Sequence, residues 1–295
     1  MTSDLIAVTG ATGSLGGRIA RRLADRRIEQ RLVVRDPSRA PELPGAHVVA
    51  APAYGDGDAM RAAFTGAATV LLVSASESPD RIAQHLTAVD AAVAAGAERI
   101  VYTSFLNAAP DATFTLARHH FATEERIRSR GIPFTFLRDS LYADVFPYYV
   151  GADGIIRGPA GDGRLAPVAR DDVADAAVTV LLNGSEHAGR TYDLTGPTAM
   201  TLHEIAALIA AATGVPVTYH PETLPEAYES RARYQAPDWE VEGWVSTYAA
   251  IAAGELDTVT DHVERLAGHP PMSMPEYLTA DPSAMERVRS FVGSS

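Results

Sequence analysis

An α/β fold, a doubly wound parallel sheet covered by helices on both faces, is predicted by three features of the sequence. Short apolar runs alternate with segments of helical periodicity as far as Arg138. Glycine or polar residues close each run. The spacing between runs leaves room for a crossover helix, which parallel neighbours require.

Leu5-Ile6-Ala7-Val8 is the first strand, and Leu15, Ile19 and Leu23 recur behind it at helical spacing. Strands at Leu32-Val33-Val34 and Val48-Val49-Ala50, a helix over Ala59–Phe64 and a strand over Thr69–Val73 continue the alternation. An Ala-rich helix over about Asp80–Ala95, strand Ile100-Val101-Tyr102, helix His119–Arg128 and strand Phe134–Leu137 complete it. Beyond Arg138 the pattern loosens: Tyr142, Phe146, Tyr148 and Tyr149 lead into a Gly/Pro-rich segment, Gly151–Gly163. Helices over Asp171–Leu182 and Leu202–Ala212 flank a strand at Arg190–Leu194. The remainder from Val217, with Trp239 and Trp244, reads as mixed. The expected organisation is a dinucleotide-binding domain over 1–139, joined by about 160–198. A smaller mixed α/β substrate domain, 140–159 and 199–295, is expected to cap the carboxyl edge of the sheet.

Composition narrows the ligands. A formal net charge of -12, with no basic run to offset it, disfavours nucleic acid and leaves small molecules as the expected partners. The amino-terminal residues show no secretory pattern and no run suits a membrane span, so the expected location is the cytoplasm. No cysteine is present, which excludes disulfides, thiolate nucleophiles and cysteine-ligated metals; no metal site is expected. All 25 Lys/Arg residues are arginine. Schiff-base chemistry and every mechanism that needs a lysine ammonium are therefore absent.

Gly10-Ala11-Thr12-Gly13-Ser14-Leu15-Gly16 directly follows the first strand and opens the first helix. In that position glycines let backbone N–H groups approach a pyrophosphate at the positive end of a helix dipole, as in Rossmann-type domains. The bland alternative is a merely tight strand–helix turn. The second strand ends at Arg35, where NAD-preferring domains carry Asp or Glu for the ribose hydroxyls. Arg35 and Arg39 suit a 2′-phosphate instead, so NADP(H) is the expected cofactor, the alternative being two solvated surface arginines.

Thr9-Gly10-Ala11-Thr12-Gly13, Tyr54-Gly55-Asp56, Leu71–Ser76, Tyr102-Thr103-Ser104, Thr123-Glu124, Gly161-Asp162-Gly163 and Gly268-His269-Pro270 together resemble the NmrA-like group of atypical short-chain dehydrogenases, most closely its type 2 NAD(P)H:quinone oxidoreductases. The resemblance runs over nearly the whole chain. It implies adenine contacts near Asp56, cofactor contacts from Ser74, Ala75 and Ser76, Thr103 and Ser104 near the nicotinamide, and a substrate cleft between the domains. It also implies NADPH-dependent, flavin-independent reduction of a quinone or related carbonyl compound. The alternative is a non-catalytic NADP(H)-sensing regulator of NmrA type, and a homodimer is compatible with either.

Ordinary short-chain dehydrogenases use a Tyr-x-x-x-Lys pair, and here the resemblance puts His120 and Glu124 at those positions. Four residues apart, the two share a helical face, so an interaction between them either positions the imidazole or is a structural contact, the bland alternative being a surface histidine. Quinones suit such a site, because hydride addition gives an oxyanion stabilised by the new aromatic ring, whereas the alkoxide from a ketone needs a placed acid. Relatives commonly carry Asn-Gly-Trp-Tyr where this chain has Asp139-Ser140-Leu141-Tyr142. Tyr142 is retained, and Tyr142 and His120 are the catalytic candidates. Tyr142, Phe146, Trp239 and Trp244 are read either as core packing or as an aromatic lining.

Overall fold

The computed structural model describes residues 5–293. In chain order the elements run β1 (Ile6–Thr9), α1 (Ser14–Asp25), β2 (Gln30–Val34), β3 (Ala46–Ala50), α2 (Gly57–Phe64), β4 (Thr69–Leu72), α3 (Arg81–Ala94), β5 (Arg99–Phe105), α4 (Thr115–Ser129) and β6 (Phe134–Asp139). They continue with α5 (Phe146–Tyr149), β7 (Ile155–Gly158), β8 (Arg164–Leu165), α6 (Arg170–Leu182), β9 (Arg190–Leu194), β10 (Met200–Thr201), α7 (Leu202–Thr213) and β11 (Thr218–Pro221). Five helices close the chain: α8 (Leu224–Arg231), α9 (Asp238–Ala252), α10 (His262–Ala267), α11 (Met274–Ala280) and α12 (Pro282–Phe291).

Two compact units share these residues. The first holds the chain up to Pro110, His119–Arg138 and Arg170–Asp193; the second holds Asp111–Arg118, Asp139–Ala169 and everything from Leu194. Backbone and side-chain bonds explain two of the seams. Ala166 N–H donates to the Leu256 carbonyl at 3.1 Å, tying the segment after β8 to the second unit. The amide of Thr113 lies 3.1 Å from each carboxylate oxygen of Glu255, which draws Asp111–Arg118 there as well.

One seven-stranded sheet, in the order β3-β2-β1-β4-β5-β6-β9, organises the first unit. β1 runs parallel to β2 and to β4, with Val8 beside Leu32 on one side and Leu71 on the other. All residues of β1 are buried, as expected of a central strand covered on both faces. The strand order reverses between β1 and β4. At such a switch point the carboxyl ends of the strands diverge and leave a crevice for a ligand.

Helix α1 buries Leu15, Ile19 and Leu23 against the sheet. Its other face presents Arg18 and Arg22 to Asp171 and Asp175 of α6, with Arg22 bonded to each aspartate at 2.8 Å. These pairs are part-exposed, so each contributes at most about 1 kcal/mol and serves mainly to fix the register of two helices. Beneath the opposite face lie Met60, Phe64, Ile100, Tyr102 and Phe136. Truncating Phe64 to alanine would cost about 3–5 kcal/mol.

The second unit contains a parallel ribbon of β7 with β11 and an antiparallel one of β8 with β10. Capping boxes start α7, α8 and α11: Thr201 with Glu204, Thr223 with Glu226, and Ser273 with Glu276. The carboxyl-terminal remainder, expected to be mixed, is mostly helical. These Ser/Thr-x-x-Glu signatures are the local signal for it. The short strands inside 151–165 carry too few residues for a period to show.

Candidate cofactor site

The turn after β1 is shaped by close backbone contacts. Gly10 has φ +65°, in the left-handed region that glycine enters without penalty. Its carbonyl accepts the Gly13 N–H at 2.8 Å. A Cβ on Gly16 would stand 2.3 Å from that same carbonyl oxygen, and one on Gly13 would stand 3.2 Å from it. Gly13 itself has φ -93° and ψ 174°, so its constraint is space and not backbone angle. Gly13 is the N-cap of α1, which has neither a side-chain cap nor an acidic residue in its first turn. Leu15 points into the core, and Gly13 and Ser14 are exposed beside a half-buried Thr12. First-turn amides have no intrahelical acceptor, so Ser14, Leu15 and Gly16 offer donors at the positive end of the dipole. A pyrophosphate fits that donor set and the room that only glycine leaves.

Arg35 leaves β2 at its carboxyl end, and Arg39 closes a short 3-10 turn, Pro37–Arg39. Asp36 between them turns to the amide and hydroxyl of Ser38, at 3.0 and 2.7 Å, and those bonds pull its carboxyl below the usual range. Both arginines are exposed and neither is bonded to a carboxylate among the described residues. Arg31, by contrast, is spent on the carbonyls of Ala63 and Thr65. Asp56 is the N-cap of α2, and its carboxylate accepts the Ala59 amide at 3.0 Å.

The turn after β4 is held from below. Ser74 N–H donates to Thr103 Oγ1 at 2.8 Å, and Ala75 N–H donates to His85 Nε2 at 2.9 Å. Arg81 Nε donates to the Ala75 carbonyl at 2.9 Å, and Arg81 Nη2 lies 3.0 Å from His120 Nε2. A guanidinium only donates, so His120 Nε2 accepts and its proton sits on Nδ1. That Nδ1–H donates to Tyr102 Oη at 2.9 Å. Tyr102 Oη also lies 3.3 Å from His85 Nδ1, and Thr123 donates to the His119 carbonyl at 2.9 Å. His85, whose Nε2 is an acceptor, donates from Nδ1 to Thr123 Oγ1 at 3.0 Å. Burial first, then the positive Arg81 beside them, push His85 and His120 well below the ordinary histidine value. Both are neutral imidazoles whose nitrogens are engaged inside the protein.

Glu124 does not meet His120 as its place on the helix suggested. Its buried carboxylate takes the Ser104 hydroxyl at 2.7 Å, Arg138 through Nε at 2.8 Å and Nη2 at 2.6 Å, and Arg128 at 3.0 Å. Ser104 and Arg138 on neighbouring β-strands, and Arg128 one turn on, supply the donors that the preceding turn with His120 does not. Thr103 and Ser104 are thus buried, with both hydroxyls committed to protein groups. In the second unit the Tyr142 hydroxyl donates to Asp139 at 2.6 Å. Phe146 is fully buried against Tyr149 and belongs to the core, whereas Trp239 is 36% exposed. Arg81, His85 and Tyr102 are site residues beyond those expected from the sequence. Charged and polar side chains at buried helix and strand positions were the available signal.

Residues 2–263 match the model of the NmrA-like family. The chain belongs to that family. Among relatives, it is 34% identical to quinone oxidoreductase 2 of Escherichia coli over 92% of this chain and 96% of that protein. It is 28% identical to the NAD(P)H azoreductase of Xenophilus azovorans, over 95% and 99%. The crystal structure of the Escherichia coli NADPH-dependent quinone oxidoreductase with NADPH superimposes with a TM-score of 0.84 at 32% identity, covering 93% of this chain and 99% of that one. The glycine turn at a sheet switch point is thus a feature of a family member with reductase relatives. Among the described residues no helix is long and apolar enough to cross a membrane, and no cluster of metal-ligating side chains is found.

Proposed function

We infer that this protein is an NADPH-dependent, flavin-independent oxidoreductase that reduces a quinone or related carbonyl compound by direct hydride transfer. The carrying observation is the uncapped, glycine-lined start of α1 at the switch point, in a chain similar to a quinone oxidoreductase over nearly its full length. NADPH, when bound, supplies a hydride; with one proton from water or a weak donor it converts quinone to hydroquinone and leaves NADP+. The first-turn amides of α1 would hold the pyrophosphate, and Arg35 with Arg39 the 2′-phosphate. Ser74, Ala75 and Ser76 would border the dinucleotide through their backbone, with Thr103 and Ser104 supporting that edge from inside.

The protein's task is then to juxtapose two reactants, and the gain comes from proximity and orientation. His120 has no free nitrogen to give a substrate, so it is assigned a positioning role. Tyr142, with its hydroxyl hydrogen on Asp139, is assigned to substrate contact. A cytoplasmic location is part of the same proposal. Steady-state oxidation of NADPH under anaerobic conditions, across a panel of benzoquinones and naphthoquinones, tests the reading. Turnover with at least one of them is expected; tight NADPH binding without turnover across the panel would favour a sensor.

A further inference from the structure

Arg81 is the first residue of α3 and only 3% exposed, yet no carboxylate is hydrogen-bonded to it among the described residues. Glu77 acts on it through its field alone. Its Nε and Nη2 are spent on the Ala75 carbonyl and on His120. Nη1 is buried with no hydrogen-bond partner. A buried guanidinium without an ion pair is a destabilising arrangement, and an unused donor on it adds to the cost. The amino end of α3 also lacks a side-chain cap, so the positive dipole end lies beside the same cation. Neutral His120 from α4 and the hydroxyls of Tyr102 and Tyr54 surround it, and the anion that acts on it, Glu77, is not bonded to the guanidinium.

We propose that Arg81 is a binding residue for the dinucleotide: it shapes the Ser74–Ser76 turn through the Ala75 carbonyl and keeps its Nη1–H for an oxygen acceptor of the bound cofactor. In this lysine-free chain it also brings to the His120 position a cation that the Tyr-x-x-x-Lys pair takes from its own helix. The cation here comes from thirty-nine residues earlier. The ligand chemistry is an electron-rich oxygen, which cofactor and quinone both carry. The cofactor is favoured because the same guanidinium holds the turn that borders it.

This inference rests on NADPH being the ligand of the glycine turn. The test measures NADPH affinity by calorimetry, thermal stability, and quinone KM for Arg81→Met and Arg81→Lys in the full-length protein. Arg81→Met is expected to weaken NADPH binding by about tenfold to a hundredfold, the loss of a charge-assisted bond and of a fixed turn. Its melting temperature should be unchanged or raised, since an unpaired buried charge has gone. Arg81→Lys, which keeps charge but not the three-way fork, should lie between the two proteins in affinity, and it carries the test if the methionine variant does not fold. Affinity within about threefold of wild type in a folded variant overturns the proposal. So does a rise confined to quinone KM, which would make the substrate the acceptor. If wild-type protein fails to bind NADPH at all, it is the cofactor assignment that fails.

Discussion

The glycine turn after β1 and the buried network under the turn after β4 both border the switch point of the sheet, but they are built on opposite principles. The first is local: seven consecutive residues from Gly10 to Gly16 supply shape and donors, mostly with main-chain atoms. The second is assembled from α3, β5 and α4, with partners such as Arg81 and His120 far apart in sequence. A local device reads directly from a sequence and fails completely when one residue changes. A distributed device is hidden in the sequence and should fail by degrees.

The largest effect that follows is at Gly16. Gly16→Val places a branched side chain where even a Cβ would stand 2.3 Å from the Gly10 carbonyl oxygen. The turn must open, and NADPH binding should fall by about a hundredfold or more, with stability reduced by roughly 1–3 kcal/mol. Gly13→Val, at 3.2 Å, should keep the fold and lose binding mainly by filling the pyrophosphate space. Calorimetry with circular dichroism on both variants checks this. Wild-type affinity in either folded variant would detach the turn from the cofactor.

Arg35→Asp comes next. It removes a charge-assisted contact and puts like charge beside the 2′-phosphate, so NADPH affinity should drop by about tenfold to a hundredfold while NADH affinity changes little. Equal losses for both dinucleotides would show that Arg35 does not read the phosphate.

In the network, His120→Ala should lower turnover by well under the ~10²–10⁴-fold expected for losing a general acid. Tyr142→Ala should raise quinone KM and leave NADPH affinity near normal. Steady-state kinetics that showed a collapse in turnover for His120→Ala alone would return the proton donor to that histidine.

The last effect is on stability against pH and not on binding or turnover. His85 and His120 are held below the ordinary histidine value of 6.5 in the folded chain. Above that value both states bind no proton at these rings and nothing is lost. As pH falls below it, the unfolded chain takes up protons that the folded chain refuses, costing up to about 1.4 kcal/mol per histidine per pH unit. The denaturant midpoint should therefore fall between about pH 7 and pH 5, and His120→Phe should flatten that slope. A midpoint constant over this range would mean that these imidazoles are not buried neutral.

The contrast also sets how much was legible beforehand. β1, α1, β2, β4, β5 and β6 all lie where apolar runs and periodicity placed them, because each satisfies its own pattern within a few residues. So do Arg35, at a strand end, and the glycines. The His120–Glu124 pairing was not right, because i and i+4 proximity lost to Ser104 and Arg138 on neighbouring strands. Arg81, His85 and Tyr102 were unreadable as a unit: nothing local to any of them says that the other two are near. The helical tail from Leu224 was readable in part, through Thr223 with Glu226 and Ser273 with Glu276.

The most direct test of the central claim is a single anaerobic turnover. Protein shown to be free of flavin is saturated with NADPH and mixed with a limiting quinone, and the absorbances of NADPH and quinone are followed together. The account predicts that one NADPH is consumed for each hydroquinone formed, with no lag and no added flavin. Full NADPH occupancy with both absorbances unchanged, for every quinone tried, would contradict it.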